Sequence, residues 1–473
     1  MITIRKGLDI PITGTAESRV TDARSITTYA VKPTDFVGLT PRLLVVEDNV
    51  VKVGDTLFCD KNDERILFTS PVAGRIKAIL RGEKRRLEAV VVEEDRTDGS
   101  TDSKPSYDIP KNAEETKALM LRCGLWTMLR QRPFGTIAKP DDKPKAILVS
   151  AFDSAPLAPD YDFVLQGRGE WFKKGLEALT KLTPGKVHVC FRNGQSLAHQ
   201  LSPLNFNSLR FVEGCAVQLS THLVKGPHPA GNVGTQIAHI DPINKGETVW
   251  TMNPQDVAVL GELVTTGVYR PEKVIAVAGP QIKNPHYYRI KAGACMASIV
   301  AEQLFNPAYP KMEPPSAVKE NRIISGNILS GTQIQADGFL GAYDSLLSIL
   351  PEGDYYDFMG WLMPGFKKYS FSRTFLSGFT PKLLRWKYDT NTHGDERPLV
   401  FTGDFERVFP FDIYPTQLIK ACIVGDIDLM EQLGIYEVEP EDFALCEFID
   451  VSKTEIQHIV RQALETLRKE AMG

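Results

Sequence analysis

Between residues 36 and 95 apolar and polar positions alternate in short runs, punctuated by Gly54-Asp55, Pro71, Gly74 and Gly82. That period of two predicts a small all-β unit. A polar stretch from Glu93 to Lys111, rich in Asp, Ser, Thr and Lys, ends it. The period then becomes helical: Asn112-Ala-Glu-Glu115 reads as a capping box, and Leu119, Cys123, Trp126 and Leu129 continue an apolar stripe. Next come Ala146 to Ser150, unbroken and strand-like, a helical pattern from Gly169 to Leu182, and a second apolar run from Lys186 to Phe191. This rhythm predicts a parallel, doubly wound sheet. From Val274 the order is strand, proline turn, the Tyr-bearing strand Asn284 to Ile290, Gly293 and an apolar helix through Leu304, with Arg322 to Gly326 as closing strand. Near the end Ser452 to Glu455 reads as another capping box, and Ile456, Ile459, Val460, Ala463, Leu464 and Leu467 form the stripe of a packing helix.

At 473 residues the chain has room for two to four cores. The pattern divides it into an N-terminal β-rich region, 1–105, an α/β unit, 106–255, a strand-and-helix unit, 256–335, and a C-terminal region, 336–473. With 42% hydrophobic and 24% charged residues and a net charge of −4, the composition is that of a soluble globular protein. It lacks the basic excess a nucleic-acid partner requires. No apolar run follows Arg5-Lys6 and none anywhere reaches membrane-spanning length, which predicts a cytoplasmic chain that does not itself cross a bilayer. The seven cysteines are scattered and never fall in a Cys-x-x-Cys pair, an arrangement that predicts reduced thiols and no zinc or iron–sulfur site.

Two stretches stand out. Lys225 to Gln236 packs three glycines, two prolines and His228 into twelve residues, so its backbone has a fixed shape that suits a ligand or a neighbouring surface. It matches neither the Walker nor the dinucleotide pattern. The turn after the first α/β strand, Ala151 to Pro156, contains no glycine, and Phe172 stands where the third glycine of a dinucleotide fingerprint would fall after Gly167 and Gly169. The sheet is therefore expected to hold no NAD or flavin. Five histidines, His188, His199, His222, His228 and His239, crowd into fifty-two residues without any metal-ligand spacing, and His188, alternating with Cys190, reads as core. The second stretch, Phe358 to Tyr388, carries nine aromatics, six Lys or Arg and no acid. Trp361, Lys367, Lys368, Arg373 and Phe375 mark it as a docking segment for a partner groove or an anionic headgroup layer, although half of the rings would serve equally as core.

Some of these patterns carry resemblances. Val51-Lys-Val-Gly-Asp-Thr-Leu-Phe58 and Ser70-Pro-Val-Ala-Gly-Arg-Ile-Lys-Ala-Ile79 resemble biotinyl and lipoyl carrier domains over about sixty residues, a barrel-sandwich fold. Lys61 lies near the modified position but in the wrong context, Cys-Asp-Lys-Asn-Asp, and reads as a solvated turn residue. The unit after Val274 resembles the soluble-ligand-binding β-grasp (SLBB) module. The fold class expected is thus α/β and α+β multidomain, with barrel-sandwich, Rossmann-like, β-grasp and helical C-terminal units.

Ile4-Arg-Lys-Gly-Leu-Asp-Ile-Pro11, Ser70-Pro-Val-Ala-Gly74, Gly226-Pro-His-Pro-Ala-Gly-Asn-Val-Gly-Thr235, and Gly360-Trp-Leu-Met-Pro-Gly365 with Ser372-Arg-Thr-Phe-Leu-Ser377 resemble the A-subunit family of sodium-translocating NADH:quinone oxidoreductases (Na+-NQR). More distantly the architecture resembles the Rnf complex C subunit and the NADH- and flavin-binding subunit of complex I. Both relatives carry clustered cysteines near the C-terminus, whereas here Cys446 stands alone, with Asp450 where a second cysteine is common in the A-subunit family. One thiolate cannot hold a cluster.

The resemblance implies a peripheral subunit on the cytoplasmic side of the bacterial inner membrane, partnered with the other subunits of the complex. It implies no cofactor and no catalytic residue on this chain, the complex using NADH, flavins, an iron–sulfur centre and quinone on other subunits. It also implies a role toward quinone. His228 with Lys225 could donate to a quinone carbonyl, with Gly231 and Gly234 allowing close approach, or the same loop could pack between subunits. The alternative is a stand-alone flavin- or NAD-binding oxidoreductase.

Overall fold

The structure, a computed structural model, describes residues 1–23, 25–96, 105–201, 219–304, 320–356, 359–360, 362–366, 368–379 and 384–472. The barrel-sandwich forms from two facing sheets. One contains Thr28–Val31, Leu87–Glu94, Gly74–Arg81 and Val50–Val51, and the other Pro41–Leu43, Thr56–Asp60 and Leu67–Thr69. Alternation puts Phe58 and Phe68 between them, stacked at 4.5 Å, with Phe36 edge-on to Phe68 at 4.8 Å. Lys61 sits exposed in the turn that links the second and third strands of the latter sheet.

The first twenty-two residues do not stay with this unit. Ile2–Thr3 pairs in parallel with Val224–Lys225 of the α/β sheet, and Glu17–Asp22 with His286–Lys291 of the β-grasp sheet. These pairings lie outside the N-terminal unit drawn over 1–105. Short polar strands carry no local sign of which distant edge they will join.

The α/β sheet contains four consecutive parallel strands, Ala146–Ser150, Lys186–Arg192, Leu219–Lys225 and Val249–Thr251, ordered third, second, first, fourth across the sheet. Arg130–Arg132 and Thr136–Ile137 extend it antiparallel beyond the fourth. The entering helix, Ala113–Arg122, is capped as expected: Asn112 Oδ1 accepts from Glu115 N–H at 2.8 Å. It stops earlier than its stripe, and Trp126 is buried from the short turn Leu125–Met128 against Trp250. Helices Gly169–Leu179 and Pro254–Thr266 cross with almost no gap. A Cβ on Gly175 would lie 1.9 Å from Val257 O, and one on Gly261 only 1.7 Å from Trp171 O. The second helix therefore straddles the boundary drawn at residue 255 and packs with the α/β unit.

In the β-grasp unit Glu272–Ala278, His286–Lys291, Asn321–Ser325, Thr332–Ile334 and Leu346–Pro351 share one sheet with Glu17–Asp22, and Ala297–Gln303 supplies the helix. Its last strand lies past the limit drawn at residue 335. The C-terminal region forms a separate helical core around Phe409, Leu418, Ile435, Phe443, Val460 and Leu464. The final helix, Ile456–Met472, buries Ile456, Val460, Ala463, Leu464 and Leu467 as its stripe predicts. The capping box before it does not form. Ser452 Oγ donates to Pro398 O at 3.1 Å, and Gln457 N–H donates instead to the Glu447 carboxylate at 2.7 Å. The helix starts later than the box implies, at Ile456, and the Glu447 carboxylate of a neighbouring helix accepts from its first turn. Among the described residues no helix is long and apolar enough to cross a membrane.

Candidate functional site

In a doubly wound sheet a crevice opens where neighbouring strands send their connections to opposite faces. Here that point lies between Ala146–Ser150 and Val249–Thr251. The residues that leave these strands, Phe152 and Asp153 on one side and Met252, Asn253 and Pro254 on the other, line a cavity of about 180 Å³. His228, Gly231 and Asn232 form another wall, and Tyr343, Arg130 and Glu441 complete the rim.

The loop Gly226–Asn232 is held on both sides. His228 N–H donates to Asp9 Oδ1 at 2.9 Å, and His228 O accepts from Leu8 N–H at 2.8 Å. Gly226 packs so closely on the N-terminal strand that a Cβ would lie 2.5 Å from Ile4 O. Gly231 lies on the turn after the first strand, where a Cβ would meet Ser154 N at 2.5 Å. Its N–H donates to Ser154 Oγ at 2.8 Å, and Ser154 Oγ lies 3.0 Å from His228 Nδ1. The Ser154 hydroxyl thus ties the Gly231 backbone to the His228 ring through Nδ1. His228 is 3% exposed, and burial pushes its pKa down to about 4 despite the nearby Glu441. The ring is thus neutral near pH 7 and lies on the cavity wall. Asp153 beside it is raised by the same desolvation.

This arrangement does not fit a dinucleotide. The turn after the first strand, where a Rossmann fold binds pyrophosphate, is covered by the Gly231 segment, and Asp153 spends Oδ1 on Ala155 N–H at 2.8 Å.

The structure separates the residues expected to act together. His228 and Gly231 reach the cavity. Lys225 does not: it is exposed at the end of its strand, with its carbonyl accepting from Ile4 N–H at 2.8 Å. Gly234 faces the C-terminal region, where a Cβ would lie 2.4 Å from Asp442 Oδ1 and 2.5 Å from Arg132. His188 Nδ1 and His222 Nε2 meet across adjacent strands at 3.0 Å, and burial pushes His188 to about 4. His239 turns back to Thr235 O at 2.8 Å, and the His199 side chain lies outside the described residues. Among the described residues no cluster of three or more metal-ligating side chains occurs. Cys446 is fully buried, its thiol pushed far up by desolvation, and Asp450 accepts from Ser452 and Thr454 N–H. Cys215 lies outside the described residues.

One part of the site had no sequence signal. Arg132, 2% exposed, pairs with Asp442 at 3.0 Å and with Glu439 at 3.5 Å, and it also bonds Glu441. Arg130 bonds Glu439 at 3.1 Å and lies over the Tyr343 ring at 5.2 Å. Two arginines of the antiparallel strand Arg130–Arg132 thereby clamp the C-terminal region onto the cavity rim. Asp442 is held at about 6 because burial outweighs the attraction of Arg132.

The described residues of the segment expected to dock are tied to one another yet open to solvent. Lys368 Nζ lies 5.6 Å over the Phe375 ring, Ser377 bonds Lys368 O, and Leu376 N–H donates to Pro364 O at 3.0 Å. Arg373 is exposed with a left-handed φ of 58°. Tyr369 and Tyr388 pack on Phe448, and Phe371 lies under Arg407 at 4.5 Å. Part of the aromatic set is thus core. Trp361 and Lys367 lie outside the described residues.

Three family models match: the NqrA N-terminal barrel-sandwich hybrid domain over residues 2–95, the NqrA second alpha/beta domain over 111–269, and the NQRA C-terminal domain over 274–309. The chain is 38% identical over 473 residues to the A subunit of the Na(+)-translocating NADH-quinone reductase of Neisseria meningitidis serogroup B, covering 99% of this chain and 100% of that one. It is 37% identical over 476 residues to the A subunit of the same reductase in Yersinia pseudotuberculosis serotype O:1b, with the same coverage. A solved NAD+-reducing [NiFe]-hydrogenase in the H2-reduced state matches at 12% identity and a TM-score of 0.40, over 78% of this chain and 64% of that chain. On the near-full-length identity, the chain belongs to the A-subunit family of Na(+)-translocating NADH-quinone reductases.

Proposed function

We propose that the chain is a peripheral subunit of a sodium-translocating NADH:quinone reductase, placed on the cytoplasmic side of the bacterial inner membrane. In this reading NADH, flavin and iron–sulfur chemistry belongs to other subunits, and this chain serves the quinone side and assembly. The subunit reading rests on the identity over the whole of both chains.

The quinone reading rests on one observation: a neutral His228 on the wall of a cavity at the strand-order switch, whose ring carries one N–H for a hydrogen bond. A quinone carbonyl accepts such a bond, while a cation in this place would require a desolvation that lowers its own stability. Phe152, Met252 and Tyr343 supply apolar walls for the ring, and Asn253, which donates to Tyr161 Oη at 3.0 Å, fixes the polar side. His228 orients and polarises the ring, and electrons reach it from a partner subunit.

Photo-crosslinking of a quinone analogue to the whole complex tests this reading. Labelled peptides containing Phe152–Ser154 or Gly226–Asn232 are expected, and His228→Ala is expected to reduce labelling about tenfold, the worth of one buried neutral hydrogen bond. Labelling confined to other subunits, unaltered in the variant, would reject it.

A further inference from the structure

We propose that the segment Met359–Tyr388 contacts the bilayer directly, seating exposed apolar side chains in the headgroup layer of an anionic leaflet. The idea rests on the peripheral, membrane-side reading above and adds what that reading leaves open: whether lipid or another subunit covers this face.

Met359, Leu362, Met363, Phe366, Leu376 and Phe379 are all exposed, with Phe366 at 65% and Phe379 at 77%. They are not frayed ends. The loop beneath them is tied by the Leu376–Pro364 and Ser377–Lys368 bonds and by Lys368 over Phe375. Gly365, with φ of 66°, lets the chain pass so close to Phe375 that a Cβ would lie 2.3 Å from the ring. The inner rings Tyr369 and Tyr388 anchor on Phe448, so the fold presents the outer rings instead of burying them. An apolar face of this size on a built loop has an occupant.

Charge decides which occupant. Between Asp357 and Asp389 the sequence has six cations and no acid, and four of the six are lysine. Protein interfaces are enriched in aromatics and arginine but depleted in lysine. Headgroup layers take lysine readily, because its long stem lies along apolar surface while the ammonium reaches anionic phosphate. Depth is limited as well. Apart from the short turn Leu376–Phe379, the described residues of the segment form no helix or strand, and backbone groups without internal partners do not enter the hydrocarbon. The segment therefore sits at the interface, as amphipathic surface anchors do.

The purified full chain, without other subunits, is sedimented with vesicles of phosphatidylcholine alone and with phosphatidylglycerol added. Binding to the anionic vesicles, weakened by salt, is expected, and Phe366→Ser/Phe379→Ser should bind about tenfold more weakly at an unchanged melting temperature, since both rings are exposed. Lys368→Glu/Arg373→Glu should weaken binding to the anionic vesicles only, which keeps the test decisive if the serine variant melts early. No binding by the wild-type chain, or equal binding by both variants, overturns the proposal. If the chain ignores vesicles yet co-purifies with the complex, and the serine variant is lost from it, the face belongs to another protein of the complex, and membership of the complex stands.

Discussion

His228 was legible in the sequence because two prolines fix the backbone that carries it. Its chemistry was not. Ser154, which lies 3.0 Å from its Nδ1, is 74 positions away in a turn that reads as featureless. The same burial that keeps the ring neutral makes stability depend on pH. The folded-state pKa, about 4, lies below the ordinary 6.5, so protonation favours the unfolded chain. The contribution is complete above about pH 6.5, declines as pH falls, and is lost below about pH 4, a span worth about 3 kcal/mol. Urea denaturation of wild type and His228→Gln at pH 7.5 and pH 5 checks the sign. The variant is expected to lose less stability on acidification, and parallel losses would contradict the buried neutral ring. Lys225 shows the opposite case: a plausible donor by proximity in sequence, yet it ends its strand exposed and outside the cavity lining.

At the scale of elements, local patterns succeeded where their partners are local. Asn112 caps its helix three residues on, and the stripe of the last helix is buried as spaced. The Ser452 box failed because the helix begins only at Ile456, where Glu447 of another helix accepts from Gln457 N–H. The crossing of Gly169–Leu179 and Pro254–Thr266 gives a sharper test. On an exposed helix Gly→Ala stabilises by about 1 kcal/mol. At Gly261, where a Cβ would lie 1.7 Å from Trp171 O, the sign reverses, and Gly261→Ala should cost about 1–3 kcal/mol by forcing the helices apart. Thermal unfolding reads the sign directly, and a raised melting temperature would show that the helices have room.

Across the whole molecule, the clamp of Arg130 and Arg132 on Glu439, Glu441 and Asp442 joins regions some 310 positions apart. Arg132→Ala would leave Asp442 buried without its guanidinium and Glu439 with Arg130 alone, and a loss of about 3–5 kcal/mol is expected. Chemical denaturation should show it, together with faster proteolysis between the β-grasp unit and the C-terminal helices. Unchanged stability would mean the acids are already neutral.

By itself the sequence determined where strands and helices form, which of their faces are apolar, that the first α/β turn lacks a dinucleotide's glycines, and the family motifs. These are properties of neighbours a few residues apart, set by backbone angles and burial preference. Only the tertiary structure decided that Ile2–Thr3 and Glu17–Asp22 complete two different sheets, that Gly231 packs on the turn after the first α/β strand, and that Ser154 meets the His228 ring at Nδ1. Those outcomes depend on contacts whose partners are distant in the chain. Such contacts form only when the packing of the whole molecule repays the loop entropy needed to bring them together.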